Sequence, residues 1–269
     1  MAFDIKHRDG RVLFADPGAH DLREVVVRAL AAGCDLSGAM LLGARLDRLD
    51  FADCTLVEAN LAGATFDSAN LEGADLARAD LTGASLRGAN LEHAWLAGVA
   101  AANARFDGSN LEDADLRGAA LGGASFARAN LEDADLAGAS GEGVSFARAN
   151  LEDAELREAK LPRADFTAVN LERASLGRAE LPGALFVGAN LERADFTGAK
   201  LQRASFADAN CERADLTNAD VTGASFASAN LERTKVGGAI FDEVALATAN
   251  LRDARGVPAK APPSEGPYR

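Results

Sequence analysis

Large apolar residues recur at every fifth position through most of this chain, and this spacing constrains the fold more than any other feature. From Leu36 to Leu251 there are 44 such central positions, of which 39 hold Leu or Phe. Two residues before the centre, 35 of the 44 positions hold Ala. An α-helix repeats its apolar face about every 3.6 residues and a half-buried strand about every two, so neither accounts for a period of five. Each five-residue unit is therefore predicted to form one side of a coil, with the centre and the small residue facing inward.

A second period, of twenty residues, predicts the number of sides. Asn precedes the centre at every twentieth residue from Asn70 to Asn250. Phe occupies centres at multiples of the same spacing: Phe66, Phe106, Phe126, Phe146, Phe166, Phe186, Phe206 and Phe226. Four units per turn predict a square cross-section, and 44 units predict about 11 coils. With neighbouring backbones about 4.8 Å apart, the solenoid would be about 53 Å long, and each coil would touch only its neighbours.

Individual units resemble a known repeat signature. Residues 69–73 (ANLEG) and 149–153 (ANLED) resemble the A(D/N)LXX signature of the pentapeptide-repeat family, and the resemblance covers about 220 residues. It implies an all-β fold, the right-handed quadrilateral β-helix of that family. The handedness comes from the resemblance alone, since the two periods indicate only the number of sides.

The chain is expected to divide into three parts. Residues 1–33 are predicted to form a β-hairpin around an Asp9-Gly10 turn, followed by a capping helix that ends at Gly33. Residues 34–254 are predicted to form the β-helix, and residues 255–269, which are rich in Pro, a disordered tail. Because this tail contains no apolar helix to cover the last coil, both a homodimer through the C-terminal coil and a simple frayed end are open.

The sequence contains no catalytic, cofactor-binding or metal-binding motif. Its three His residues are scattered, and the outward side chains of a convex rod lack a pocket in which pKa values could be shifted. We therefore expect no enzyme activity, no cofactor and no metal ion. Cys34, Cys54 and Cys211 show no ligand spacing and are predicted to be reduced thiols of the core.

The overall charge and the opening residues indicate where such a protein acts. A formal net charge of −13 at pH 7 argues against direct binding of nucleic acid, which requires a basic surface. The opening residues lack the apolar segment of a secretory signal, and no stretch reaches about eighteen uninterrupted apolar residues. We expect a cytoplasmic protein that does not enter membranes.

Three successive coils in the middle of the chain carry an unusual density of outward carboxylates. We name these nine residues the acidic patch: Glu112, Asp113, Asp115, Glu132, Asp133, Asp135, Glu152, Asp153 and Glu155. Stacked like charges about 4.8 Å apart repel by roughly 1 kcal/mol per pair even in bulk water, so their accumulation indicates either simple solubility or a partner. The acidic patch, together with the outward Trp95 as a possible anchor, is the candidate partner-binding site.

Two central positions lack a large side chain. Ala101 and Gly141 lie two coils apart on one side of the predicted rod, which would be underfilled or bent there. A contact groove is the alternative interpretation.

The resemblance also implies a function class. Some pentapeptide-repeat proteins are DNA mimics that bind DNA gyrase and topoisomerase IV and protect them from quinolones or from peptide and albicidin-type toxins. This chain resembles them in its predicted rod and its acidity, but its 44 units run without the projecting loops of the quinolone-protection branch. This difference argues against protection through loops and leaves mimicry by the rod surface open. We expect a non-enzymatic binding protein, an acidic DNA-mimicking rod that engages DNA gyrase or topoisomerase IV and modulates it or protects it from a topoisomerase poison. The alternative is a structural or scaffolding solenoid with another protein partner.

Overall fold

The computed structural model describes residues 3–242 and 246–257. Strands β1 (Phe3–Lys6) and β2 (Val12–Asp16) form an antiparallel hairpin, and α1 (Leu22–Ala31) follows it. The Asp21 side chain caps α1 by accepting a hydrogen bond from the backbone N–H of Glu24. No helix within these ranges is long and apolar enough to cross a bilayer. Most of the tail predicted to be disordered falls outside the described residues.

The hairpin and α1 contact the first coils directly. The backbone N–H of Arg8 donates to the carbonyl oxygen of Gly38 at 2.9 Å. From α1, the Arg23 guanidinium donates to the carbonyl oxygens of Arg45 and Asp47, at 3.0 and 2.8 Å. The apolar face of the helix joins the core that runs through the coils, and it buries Val25, Val26 and Ala29.

Residues twenty apart pair in parallel along the solenoid. The bridges begin with Met40 and Asn60 and continue on four sides until Lys235 pairs with Arg255. On the described rungs, the N–H of a central residue donates to the carbonyl oxygen nineteen residues later, at 2.6–3.1 Å. Each side contributes one bridging residue, so within the described ranges extended strands are confined to the hairpin.

The central side chains fill the interior. Every Leu or Phe centre between Leu36 and Leu231 is at most 1% exposed. Seven Phe rings stack along one side with centroids 4.6–5.1 Å apart: Phe106, Phe126, Phe146, Phe166, Phe186, Phe206 and Phe226. This distance matches the spacing of about 4.8 Å between neighbouring backbones of a sheet. Burial of each such side chain contributes about 1.5–3 kcal/mol to stability.

A β-turn forms each corner of the coil. The N–H of the small residue donates to the carbonyl oxygen of the centre three positions earlier, as from Ala134 to Leu131 at 3.1 Å. The third turn residue has a positive φ, +57° at Asp133, which is typical of type II turns. The N–H of the second turn residue is not part of the ladder. Pro162 and Pro182 occupy this position, so their missing N–H groups remove no ladder hydrogen bond.

The two centres without a large side chain differ in structure. Ala101 is fully buried and keeps the ordinary turn, accepting a hydrogen bond from Ala104 at 3.1 Å. Gly141 has a φ of +157°, and a Cβ added to it would lie 2.4 Å from the backbone nitrogen of Gly122 in the preceding coil. Glycine is therefore required at position 141 by backbone contact, which the sequence pattern did not show.

Candidate partner-binding surface

A continuous column of Asn side chains supports the most acidic side of the solenoid. Each Asn from Asn70 to Asn250 donates through Nδ2 to the Oδ1 atom twenty residues earlier, at 2.9–3.3 Å. Its own Oδ1 accepts the backbone N–H two residues later, at 3.1–3.4 Å. The column thus ties neighbouring coils together and fixes the turn that carries the acidic residues.

The Asn column also orients the Glu side chains of the acidic patch. The Oε2 atoms of Glu112, Glu132 and Glu152 each accept a hydrogen bond at 3.1 Å from the Asn eighteen residues later. These three side chains are half-buried. One oxygen of each carboxylate is therefore held by the protein, and the other is oriented away from that bond.

At the corner, Asp113, Asp133 and Asp153 stack on consecutive coils with φ between +56° and +57°. Two hydrogen bonds from the Arg173 guanidinium, at 2.8 and 2.7 Å, hold the pKa of Asp153 below its usual range. The pKa of Asp133 is raised, first by desolvation and then by the negative charges of Asp153, Asp113 and Glu112. Repulsion between carboxylates therefore persists at Asp133, whereas Arg173 relieves it at Asp153.

The adjoining side holds the other three residues of the acidic patch beside arginines. The Arg117 guanidinium binds Asp115 through two contacts of 2.9 and 2.6 Å and lies 3.6 Å from Asp135. The Arg157 guanidinium binds Glu155 through two contacts of 2.8 Å. The hydrogen bonds from Arg117 lower the pKa of Asp115, whose side chain is only 17% exposed.

The structure thus divides the acidic patch, which the sequence treated as one unrelieved cluster. Five of its nine carboxylates have an arginine partner: Asp115, Asp135, Glu152, Asp153 and Glu155. Asp113 lies 3.5 Å from the Nδ1 atom of His93. In the parts of the chain that the structure describes, three residues have no basic side chain within 4.0 Å, and we call them the unpaired trio: Glu112, Glu132 and Asp133.

Sequence reasoning did not pair Arg117, Arg157 and Arg173 with residues of the acidic patch, although their spacing carried a signal. Arg117 and Arg157 follow their partners by two residues, which places both side chains on the outer face of one corner. Arg173 follows Asp153 by twenty residues and therefore stands one coil further along the same column. In a solenoid whose period is twenty, such spacings place the arginines beside these carboxylates, but they do not fix which carboxylate each guanidinium binds.

Trp95 lies on the same side of the rod as Asp115, Asp135 and Glu155. Its neighbours on the adjacent rungs are Asp75 and Asp115, and its side chain is 58% exposed. An exposed indole flanked by carboxylates can contribute both apolar contact and a single N–H donor to an interface.

Charge is unevenly distributed along the chain. Residues 1–155 contain 26 acidic and 13 basic residues, whereas residues 156–269 contain 15 of each. The net charge of −13 is therefore carried entirely by the first part. In the second part, arginines occupy the corner column where Asp stands earlier, and Arg213 lies 3.3 Å from Glu192 and 3.2 Å from Glu212.

The described residues offer no cluster of three or more His, Cys, Asp or Glu side chains that could hold a metal ion. Of the three thiols, Cys211 is buried as predicted for a core thiol. Cys34 and Cys54 are instead partly exposed, because they line a cleft between α1 and the first coils.

Comparison with known families identifies the repeat. The family model described as pentapeptide repeats (8 copies) matches residues 44–83, 84–123 and 204–242, and the model described as pentapeptide repeat region matches residues 109–186. The chain belongs to the pentapeptide-repeat family. The matched segments together span more than half of its length, and they include the whole acidic patch.

Solved structures of pentapeptide-repeat proteins are similar to this chain. HetL, a pentapeptide repeat protein involved in heterocyst differentiation regulation from the cyanobacterium Nostoc sp. strain PCC 7120, is 26% identical with a TM-score of 0.49, and the match covers 88% of this chain and 95% of HetL. A second similar structure is that of a trypsin-treated variant of QnrB1, a plasmid-mediated fluoroquinolone resistance protein. It is 21% identical to this chain with a TM-score of 0.38, and the match covers 76% of this chain and 91% of the QnrB1 chain. No curated protein matches the chain.

Proposed function

We propose that this pentapeptide-repeat protein is a non-enzymatic binding protein whose acidic patch engages a basic surface of a partner protein. The unpaired trio carries this proposal. No arginine pairs with the carboxylates of the trio, Glu112, Glu132 and Asp133. By contrast, Arg117 and Arg173 pair with carboxylates close by on the same surface. Uncompensated like charges lower stability, and a cationic partner would remove that repulsion.

The partner that we propose is a type II topoisomerase, DNA gyrase or topoisomerase IV. B-DNA is a rod with one negative charge per about 1.7 Å of axis, and the DNA-binding channel of such an enzyme is basic. The acidic patch repeats its carboxylates on successive rungs, about 4.8 Å apart along the solenoid, so it offers an elongated anionic surface at lower charge density. Mimicry through the rod surface requires no projecting loop.

A scaffolding role with another protein partner is the second candidate. It is favoured by the five carboxylates of the acidic patch that arginines already neutralise, since internal pairs reduce the charge available to a partner. Under this alternative, Trp95 and the neutral C-terminal coils would carry the contacts.

The remaining expectations about assembly belong to this proposal. We infer that the hairpin and α1 cap the N-terminal end of the solenoid and that the protein acts in the cytoplasm. Dimerisation through the C-terminal coil stays a prediction. Its motivation is Ile240, which is 57% exposed near that end, and Phe241, which is half-buried.

The proposed function is tested by measuring binding to purified DNA gyrase and topoisomerase IV with surface plasmon resonance. Inhibition of supercoiling or decatenation is the second readout. The triple variant Glu112→Gln, Glu132→Gln and Asp133→Asn removes the three charges of the unpaired trio. It keeps the side-chain shapes and the hydrogen bonds that Asn130 and Asn150 donate to positions 112 and 132. We expect this variant to bind at least about tenfold more weakly, because close charge pairs at interfaces contribute more than about 1.4 kcal/mol.

The matched control removes three charges from the part of the chain that has no net charge: Glu192→Gln, Asp195→Asn and Glu212→Gln. It should bind nearly as tightly as the unaltered protein. Equal losses in the two triple variants would overturn the assignment of the acidic patch. Absence of binding by the unaltered protein to both topoisomerases would leave the scaffolding role.

A further inference from the structure

A cleft of about 550 Å³ lies where α1 meets the first two coils, on the part of the molecule furthest from the C-terminal coils. Its apolar wall comes partly from α1, through Val27 and Leu30, and partly from Leu49. Its other wall holds the two partly exposed cysteines, Cys34 and Cys54. The binding role proposed for the acidic patch uses none of these residues.

The two thiols occupy equivalent positions on consecutive coils. Cys34 and Cys54 are twenty residues apart, and each Sγ lies near the carbonyl oxygen of the residue that follows it, at 3.5 and 3.9 Å. Both residues lie two places before a centre on the same side of the coil, where the Leu36 N–H donates to the Thr55 carbonyl oxygen at 3.0 Å, so their backbones lie about one coil rise apart. That rise, about 4.8 Å in a sheet ladder, is close to twice a metal–sulfur bond of about 2.3 Å.

The charges around the cleft favour a cation. Three carboxylates line it together with the thiols: Asp35, Asp50 and Asp53. No basic side chain is among the lining residues. The carboxylates are not grouped closely enough with the thiols to complete a site of three or more ligands in the described part of the chain, so their contribution is negative potential at the mouth of the cleft.

We propose that Cys34 and Cys54 form a two-coordinate site for a soft monovalent cation, Cu(I) or Ag(I), in this cleft. Thiolates select such ions, which accept two sulfur ligands in a linear arrangement and do not need a third protein ligand. The apolar wall formed by α1 limits access of water to the bound ion.

Binding must displace protons from both thiols. Burial raises the pKa of Cys34 and, with the charges of Asp35 and Cys34, raises the pKa of Cys54 to about 11, so both groups are protonated at neutral pH. Two S–H bonds break, two sulfur–metal bonds form, and two protons pass to solvent for each ion bound. The ion keeps its oxidation state, so no electron donor or acceptor is involved.

The test uses the reduced full-length chain and Cu(I) as the probe, titrated anaerobically against the chelator bathocuproine disulfonate. We expect one Cu(I) per chain at this site and two sulfur neighbours of copper by X-ray absorption. The variants Cys34→Ser and Cys54→Ser should each lose at least about a hundredfold in affinity, since loss of a ligand exceeds the effect of an outer-shell change.

The matched control is Cys211→Ser, which removes the fully buried thiol far along the solenoid and should leave the affinity unchanged. X-ray absorption on the unaltered protein keeps the test independent of how well the variants fold. Copper without two sulfur neighbours, or Cys34→Ser and Cys54→Ser variants that bind as tightly as the unaltered chain, would overturn the site.

Discussion

Left-handed backbone conformations at single residues shape the whole surface of this protein. Of the 41 third turn positions from residue 38 to residue 238, 24 hold a residue other than Gly, and eleven of these are Arg. The conformation costs roughly 1 kcal/mol or more for a side chain with a Cβ, so these corners give up stability to present outward groups. The turn therefore does not require Gly at its third position, whereas the close backbone contact does require Gly at position 141.

Gly141→Ala is expected to destabilise the solenoid strongly. The new Cβ would lie 2.4 Å from the nitrogen of Gly122, and backbone atoms cannot move aside as a flexible side chain can. We expect a loss of roughly 1–3 kcal/mol, seen as a lower midpoint in thermal unfolding followed by circular dichroism. The control Gly138→Ala also has a positive φ, but its Cβ would meet open space, so its loss should be smaller. Equal midpoints for the two variants would contradict the proposed backbone contact.

At the scale of structural elements, columns of identical positions replace the strands of an ordinary sheet. The Asn column stabilises the stack of coils because an amide such as that of Asn150 donates to Asn130 in one neighbouring coil and accepts from Asn170 in the other. The neighbouring corner column has no such reciprocity, since stacked carboxylates only accept hydrogen bonds. Its stability therefore depends in part on which residue lies one coil away. Arg173 stabilises the charge on Asp153, whereas desolvation and then the charges of Asp153 and Asp113 destabilise the charge on Asp133.

Asp133→Asn and Asp153→Asn should therefore change stability in opposite directions at pH 7. The raised pKa of Asp133 means that its charge destabilises the folded state above that pKa and has no effect below the unfolded value, near 3.8. Asp133→Asn should thus stabilise the protein at pH 7, by no more than about 0.5 kcal/mol at so exposed a site, and the gain should vanish near pH 3.

The lowered pKa of Asp153 has the opposite consequence. It contributes stability above its unfolded pKa, and that contribution is lost as pH falls through the lower folded value. Asp153→Asn should destabilise at pH 7 and become neutral in strong acid. Urea unfolding of both variants across this pH range measures the two effects, and a shared sign at pH 7 would show that the repulsion on Asp133 is not significant.

The coils of the whole molecule stack along a single axis, and the two ends of the stack differ in how well their apolar residues are buried. Because each coil contacts only its neighbours, stability is close to a sum of local terms and opening can begin at an end. At one end, α1 contacts the first coils through Arg23 and buries Val25, Val26 and Ala29. Near the last described coils, Ile240 is exposed and Phe241 and Leu251 are only half-buried.

Hydrogen exchange should therefore proceed from the C-terminal end. We expect backbone amides of the coil at residues 246–255 to exchange first, those near Leu36 more slowly, and those of the central coils last. Mass spectrometry of peptides after timed exchange checks this order. A variant of α1, Val26→Ala, should accelerate exchange in the first coil and leave the last coil unchanged. Uniform exchange along the rod would mean that the molecule opens as a single unit.

The sequence by itself determined the family, the coil period and the inward positions. In a solenoid the neighbour of each residue is the residue twenty places away, so regular spacing in the chain translates directly into contact in space. Leu71, Phe126 and Asn150 could be placed for this reason without coordinates. The hairpin and α1 were likewise anticipated from a turn and a helical pattern, and the structure has β1, β2 and α1 in that part of the chain.

Only the tertiary structure decided which surface charges are free and which glycine is indispensable. Arg117 and Arg173 neutralise carboxylates of the acidic patch because of the directions in which their flexible side chains extend. A repeat pattern does not encode those directions. Gly141 is fixed by a backbone approach between coils, and Cys34 and Cys54 are opened to a cleft by the way α1 meets the rod. These features depend on distances of a few ångströms between elements, which the period of the sequence does not contain.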